Sequence, residues 1–358
     1  MEWKEDILGN VLEVKYGKDH KKLAEGQYPV YGSGGLMRYV DSKLYDGPSI
    51  LIPRKGTLNN IMFVESPFWT VDTMFWTIIN ADKIDPKFLF YSICKRDFAS
   101  MNVGSAVPSM TVSILNDIQI SYPKNLADQR RIASILSSLD RKIELNNKMN
   151  ADLEEMAQAI FKNWFVDFEP FKDGKFMDSE LGMIPEGWKV GCLGDIAEIT
   201  SGKRPPKKSK DKTKELFIPL IGASDIMGFT SDVLYERPIL VIGRVGTHGV
   251  VQRFQEKCWP SDNTLVVESS YYNYVYQLLK GIDYSAINRG STQPLITQTD
   301  VKNTDVIIAP ENVLKEYESI TSTLFSKHRA NIKESSRLSL LRDTLLPRLM
   351  SGELEVPE

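Results

Sequence analysis

The residues of this sequence with the plainest chemical potential are cations set just behind glycines, and the chemistry they suit is contact with phosphate. Lys203, Arg204, Lys207, Lys208, Lys210, Lys212 and Lys214 form a run interrupted by one anion, Asp211. A shorter run holds Lys18, His20, Lys21 and Lys22. Each begins directly after a glycine, as Gly17-Lys18 and Gly202-Lys203. A charge run is commonly no more than a solvated loop. Its return behind the same dipeptide raises the case for phosphate contact, which positions a protein on nucleic acid without reading sequence and makes binding salt-dependent. A second constellation also occurs twice: Arg54-Lys55-Gly56-Thr57 and Arg244-Val245-Gly246-Thr247. Glycine lets a backbone approach a phosphate or base edge closely, and arginine can take guanine with two hydrogen bonds. A tight turn between strands, its arginine in solvent, is the competing reading. Ser105 and Ser291, each after a glycine, and Arg289 complete the loop candidates.

Other chemistry is not written here. No GxxxxGK[ST] phosphate loop occurs, because Leu12, Glu169 and Ala197 stand where its first glycine belongs. An amino-methyltransferase needs a polar-Pro-Pro-aromatic loop, but Pro205-Pro206 lies between Arg204 and Lys207. Gly32-Ser33-Gly34-Gly35 reads as a turn, since its counterpart is Gly222-Ala223-Ser224-Asp225. His20, His248 and His328 lack partners at metal spacing. No catalytic residue and no metal site is therefore assigned. Cys94, Cys192 and Cys258 are too scattered for a disulfide framework. The charged start and the lack of a long apolar run point to the cytoplasm. The net charge of −3 does not advertise nucleic-acid binding, although clustering on one face matters more than the sum.

The elements that must position these loops are themselves repeated. Trp3-Lys4, Leu8-Gly9, Glu13 and Gly17-Lys18 return 185 residues later as Trp188-Lys189, Leu193-Gly194, Glu198 and Gly202-Lys203. Pro29 to Ser33, Ile52 to Thr57, Trp69 and Asp72 return 190 residues later. Gly104-Ser105, Pro108 and Thr111 correspond to Gly290-Ser291, Pro294 and Thr297. Pro123 and Asn125 correspond to Pro310 and Asn312. So many blocks returning in one order indicate duplication with small loop insertions. Each repeat opens with a β-rich part, over 1–125 and 188–310. Residues 50–52, 71–79 and 239–242 read as strands. Residues 86–98 and 271–280 look helical.

Each repeat closes with a long helix, over 126–167 and 311–350. The first seam is Leu136, Leu139, Ile143, Asn146, Asn150, Leu153, Ala157, Ile160 and Trp164, at alternating spacings of three and four. The second is Thr321, Leu324, His328, Asn331, Ser335, Leu338, Arg342, Leu345 and Leu349. Because His328 and Arg342 fall on that frame, the apolar face is expected to shift towards Leu341, Leu345 and Leu346. Packing against its own domain is the other use of such a stripe. About 40 residues make a helix of about 60 Å, too long for a domain of this size to absorb. Paired antiparallel, two such helices would form a rigid spacer with a β-rich domain at each end. The fold class expected is α+β, with a pseudo-twofold internal repeat.

The stretch from Leu153-Glu154-Glu155 to Phe168-Glu169-Pro170-Phe171 resembles the central conserved region of type I restriction-modification specificity subunits. Ser179 to Trp188 resembles the segment that introduces their second recognition domain, and Leu341 to Leu354 their distal conserved region. The resemblance covers the whole chain. It implies target recognition domains at 1–125 and 188–310, conserved helices at 126–167 and 311–350, a linker at 168–187 and a tail at 351–358. It implies that each domain reads half of a bipartite site in double-stranded DNA, and that the helices set the spacing and bind two methyltransferase subunits. Restriction subunits would join that core. S-adenosylmethionine would then belong to the methyltransferase subunits, and ATP and Mg²⁺ to the restriction subunits, with no cofactor in this chain. A silent scaffold that binds methyltransferase subunits without specific DNA remains the other reading.

Overall fold

A computed structural model describes residues 1–102, 108–245, 249–289 and 295–356. The first part of the chain contains β1 (Trp3–Ile7), β2 (Leu12–Tyr16), β3 (Tyr28–Gly32), β4 (Gly35–Val40) and β5 (Ser49–Pro53). It continues with β6 (Met62–Val64), β7 (Trp69–Thr70), β8 (Met74–Ile79), α1 (Pro86–Ile93), α2 (Val112–Asn116) and β9 (Gln119–Pro123). The helix α3 (Leu126–Phe165) follows without a break. A short hairpin of β10 (Phe176–Met177) and β11 (Ile184–Pro185) leads into β12 (Lys189–Cys192), β13 (Glu198–Ser201), β14 (Ile218–Ile221) and β15 (Ile226–Thr230). Then come β16 (Ile239–Gly243), β17 (Val251–Phe254), β18 (Trp259–Pro260), β19 (Thr264–Glu268) and α4 (Tyr272–Gly281). The chain ends with α5 (Gln298–Lys302), β20 (Asp305–Ile308) and α6 (Glu311–Met350).

The repeat in sequence is a repeat in topology. One set of sheets runs β2-β8-β5-β6, β4-β3-β7 and β1-β9; the other runs β13-β19-β16-β17, β15-β14-β18 and β12-β20. Position for position the orders are the same. Both β3 and β14 pair antiparallel with the next strand and parallel with a two-residue strand that begins with tryptophan. Both hairpins carry a bulge at the same step, Val30/Tyr31 and Leu220/Ile221. The central strands β5 and β16 are buried along their whole length, as expected for continuous apolar runs covered on both faces. Residues 71–73 form a turn before β8, so that strand is shorter than its pattern suggested. Likewise α1 ends at Ile93, and a separate 3₁₀ turn follows at Phe98–Met101.

The chain divides into two compact units, 1–147 with 332–358, and 148–331. The boundary cuts both long helices, so each unit contains half of α3 and half of α6. Within each unit the halves pair antiparallel. In the first, Asp140 faces Arg342 and Asn146 faces Ser335. In the second, Asn150 faces Asn331 and Ala157 faces Tyr317.

The first core joins Leu8, Ile52, Phe75 and Phe88 to Leu136 of α3 and to Leu346 and Leu349 of α6. The carboxyl end of the chain thus completes the amino-terminal core. Leu354 and Val356 pack on it, and the Met1 amine meets Glu355. The second core joins Ile199, Ile242 and Leu265 to Ala157 and Phe165 of α3 and to Leu314, Tyr317 and Phe325 of α6. Phe165 sits 4.6 Å from Tyr274 and 5.0 Å from Tyr317, centroid to centroid.

Of the seam positions, Leu136, Asn146, Asn150, Leu153, Ala157, Thr321, Asn331 and Leu349 are buried. Leu139, Ile143, Ile160, Leu324, Leu338 and Leu345 are half-buried. Of the positions towards which the α6 face was expected to shift, Leu346 is buried and Leu345 half-buried against the first core, but Leu341 is exposed. Arg342 stays on the strict frame because Asp140 neutralises it: the guanidinium donates to Asp140 at 2.5 Å, and the Tyr91 hydroxyl donates to the same carboxylate at 2.6 Å. A cation can occupy a seam when its charge and hydrogen bonds are met there. In the middle, the Asn331 amide donates to Asn150 at 2.9 Å, and Asn146 donates to Glu334 at 2.9 Å.

Replacing Leu349 with alanine should therefore cost the amino-terminal unit about 2–4 kcal/mol, the usual range for emptying a buried leucine site. Differential scanning calorimetry or hydrogen exchange should place the loss at residues 1–147, although the substitution is about 200 residues away along the chain. A loss confined to residues 311–350 would contradict this packing.

Candidate nucleic-acid interface

The basic loops are held by the same clamp in both units. After β2, Gly17 donates its N–H to the Met74 carbonyl (3.0 Å) and Lys18 donates to the Thr70 carbonyl (2.9 Å). After β13, Gly202 donates to Thr264 (3.0 Å) and Lys203 to Pro260 (3.0 Å). The indole Nε1 of Trp69 then donates to the Lys18 carbonyl at 2.9 Å, and that of Trp259 to the Lys203 carbonyl at 2.7 Å. A Cβ on Gly17 would run into the Val71 carbonyl, and one on Gly202 into that of Ser261. Glycine is required there by contact. The Trp and Gly landmarks are thus a device that fixes where each basic loop departs.

Beyond the clamp, Lys18, Lys21, Lys22, Lys203, Arg204, Lys207, Lys208 and Lys210 are all exposed, as are Lys212 and Lys214. Among the described residues none of these side chains forms a salt bridge. Uncompensated cations on a fixed backbone are what phosphate contact needs.

The loops also lean on the neighbouring hairpin. Arg38 of β4 donates to the His20 carbonyl at 3.2 Å and to the Leu23 carbonyl at 2.6 Å. In the other unit Gly228 stands at the corresponding place in β15. There the loop backbone approaches directly, and Ser209 and Phe229 exchange N–H···O bonds of 2.9 and 2.8 Å. At Gly228 (φ +154°) a Cβ would meet the Ser209 carbonyl. One side-chain strut has been replaced by a backbone bridge.

The first Arg-x-Gly-Thr loop lies beside its hairpin: a Cβ on Gly56 would come 3.3 Å from the Ser33 hydroxyl. The Arg54 N–H donates to Thr73 (2.8 Å) and its carbonyl accepts from Met110 (2.9 Å); for Arg244 the partners are Asn263 (2.9 Å) and Ile296 (3.0 Å). The Arg54 guanidinium stacks 5.3 Å from the Tyr16 ring, and Asn60 donates to the Ser33 carbonyl at 2.8 Å. Lys55 and Thr57 are exposed. Arg289 differs from the other candidates, because its Nε donates to Asp300 at 2.9 Å. That carboxylate also caps α5 through Thr297, so Arg289 is committed within its own unit. Ser105, Thr247 and Ser291 lie outside the described residues.

Nucleophilic chemistry finds no support. Burial pushes the Cys94 thiol up to about 11 and the Cys258 thiol up to about 12, so both are protonated at neutral pH. Among the described residues no group of three or more His, Cys, Asp or Glu side chains is placed to hold a metal ion. Among the same residues no helix is long and apolar enough to cross a membrane.

Three features escaped the sequence. Arg38 and Gly228 share a role but not a residue type, so no alignment of the halves reveals it. Arg253 of β17 lies 3.4 Å from the Phe325 ring centroid and 4.6 Å from that of Tyr276, tying a strand to α6. Glu318 of α6 accepts from the N–H groups of Asn273 and Tyr274 at 2.8 Å, capping α4.

With this geometry in place, comparison with known proteins is decisive. The family described as the type I restriction modification DNA specificity domain matches residues 1–155 and again 185–334. The chain belongs to that family. It is the DNA specificity subunit of a type I restriction-modification system, a non-catalytic component of the restriction enzyme. A MjaIX specificity subunit from Methanocaldococcus jannaschii is 30% identical, over 94% of this chain and 86% of its own. A HindI specificity subunit from Haemophilus influenzae is 23% identical, over 82% and 83%. The crystal structure of a type I S subunit from M. genitalium superposes with a TM-score of 0.67, at 17% identity, over 97% of this chain and 96% of that one; it shares the fold.

Replacing Lys207, Lys208 and Lys210 with alanine should weaken DNA binding for every sequence alike. If all three touch phosphate, the slope of log K against log[salt] should flatten by about 3. Titrations from low to physiological salt check this. An unchanged slope would show that the run is a solvated loop.

Proposed function

We propose that residues 1–125 and 188–310 are target recognition domains, each reading one half of a bipartite site in double-stranded DNA. The single observation that carries this reading is the duplicated clamp: one glycine, one lysine and one tryptophan fix a basic loop twice in one chain, while the side chains beyond it diverge. A shared frame with unlike loops suits two unlike half-sites. Lys18, Lys21, Lys22, Lys203, Arg204, Lys207, Lys208 and Lys210 contact phosphate and fix the register. Arg54, Lys55, Thr57, Arg244 and Thr247 approach the bases, with Ser105 and Ser291 from the neighbouring loops. Arg289 contributes by positioning its loop through Asp300.

The helices 126–167 and 311–350 set the separation of the half-sites and dock two methyltransferase subunits. Leu136, Leu139, Ile143, Asn146, Leu153, Ile160, Leu324, Asn331, Leu338 and Leu345 pair them. Residues 168–187 link the repeats and 351–358 form a tail. S-adenosylmethionine belongs to the methyltransferase subunits, and ATP with Mg²⁺ to restriction subunits in the full cytoplasmic complex.

Replacing residues 188–310 with a second copy of residues 3–125 tests the reading. The native complex should methylate a motif with two unlike halves. The altered complex should methylate one with two like halves at the same separation. Copurification of methyltransferase subunits controls for folding. A motif unchanged by the replacement, or no sequence preference in either complex, would overturn the reading in favour of an inert scaffold.

A further inference from the structure

The β3–β4 and β14–β15 hairpins present an apolar pair that no core uses. Leu36 and Met37 are 52% and 56% exposed, and Ile226 and Met227 are 45% and 48% exposed. The pairs stand at corresponding positions, at the start of β4 and β15. Large apolar side chains scattered singly on a surface are ordinary. Two adjacent ones returning in each half of a duplicated chain, where most loop residues have diverged, are not scattered.

Their surroundings say what they face. Met37 and Met227 are themselves the extra, unpaired residues of the bulge shared by both hairpins, and bulges re-aim side chains next to functional sites. The residue after Met37 is Arg38, which holds the Lys18–Lys22 loop by two carbonyls. The residues after Met227 are Gly228 and Phe229, which hold the Lys203–Lys210 loop by its backbone at Ser209. In both units the strand that carries the apolar pair is therefore the strut of the basic loop. On the other side, the Ser33 turn before Leu36 is bonded to Asn60, next to the Arg54–Thr57 loop. The Gly222 turn before Ile226 accepts from Gln252 at 2.9 Å. Each pair thus stands among polar and cationic loops, near further exposed aromatic residues such as Tyr39 in the first unit and Phe217 in the second.

A partner that satisfies exposed cations and flat apolar surface together is duplex DNA, with phosphates outside and bases within. Leucine, isoleucine and methionine are among the side chains that pack on base edges or wedge into base steps.

We propose that Leu36–Met37 and Ile226–Met227 are the apolar base-contacting residues of the two half-site readers. The basic loop grips the backbone, and the strand that braces it delivers the apolar pair into the groove. The inference rests on the reading that each recognition domain binds one half-site.

The test uses the full chain with its methyltransferase subunits and duplexes that carry the motif methylated by the native complex. Leu36→Ser with Met37→Ser should lower affinity for that motif by roughly 10-fold or more, the usual scale for one lost base-pair contact. Discrimination should relax in the half read by residues 1–125 alone. Ile226→Ser with Met227→Ser should do the same for the other half. Affinity for random duplex and the salt slope should not change, because no phosphate contact is lost. Leu36→Met with Met37→Leu should retain native binding. Should a double variant aggregate, Met37→Gln and Met227→Gln carry the same expectation. Native discrimination in the serine variants would overturn the inference while the native bipartite motif leaves the half-site reading standing. A flattened salt slope in the serine variants would also overturn it, making the pair a mere support for the basic loop. A native complex with no bipartite motif would remove the half-site reading itself, and the inference with it.

Discussion

The larger core of each unit depends on the antiparallel pairing of one half of α3 with one half of α6. Smaller clusters around Val30 and Phe68, and around Ile221 and Val241, lie wholly within the β-rich parts, but the larger core of each is closed only by the helices. In the first unit Leu136, Leu346 and Leu349 close the apolar cluster around Phe75 and Phe88; in the second Ala157, Phe165, Tyr317 and Phe325 do so around Leu265 and Tyr274. The helices therefore complete both cores, and their seam carries a chemical pattern. Apolar contacts lie towards the domains. Asn146, Asn150, Asn331 and Ser335 occupy the middle and are hydrogen-bonded across the pair. A buried amide in a seam is satisfied in one alignment only, so such residues give up stability and fix register. Arg342 with Asp140 and Tyr91 acts in the same way nearer one end.

From that pairing the placement of the basic loops follows. Once the sheets are seated on helices, the clamp of Gly17, Lys18 and Trp69 directs a basic loop from one sheet edge, and Gly202, Lys203 and Trp259 repeat it. Glycine and tryptophan are retained because their contacts are backbone contacts with no tolerance for substitution. Beyond them the two loops diverge, one with three lysines and the other with a longer run. Net charge was therefore a poor guide. The acidic residues that offset the cations are spread elsewhere, and many are spent in local pairs such as Asp6 with Lys4 and Glu311 with Lys315.

How much was legible in the sequence depends on how local the cause is. The duplication, the long helices and most of the seam follow from spacing; the strand order did not, although the duplication means that whatever order one half has the other repeats. The β8 boundary did not, because Val71-Asp72-Thr73 alternates like a strand while Asp72 and Thr73 form a turn that receives Arg54. Arg342 looked wrong for a seam because its partner is 202 residues away. The struts Arg38 and Gly228 were invisible because a side chain in one repeat does what bare backbone does in the other. The packing of the carboxyl terminus into the first core was hidden for a similar reason: nothing near Leu349 says that its partners lie at the start of the chain.

The adenine methylation map of a strain that carries this chain as its sole specificity subunit tests the central claim most directly. Two readers built on one frame predict a single motif made of two unlike halves around a gap of fixed length. A continuous motif, or the absence of any motif in a strain whose methyltransferase subunits are active, would contradict it.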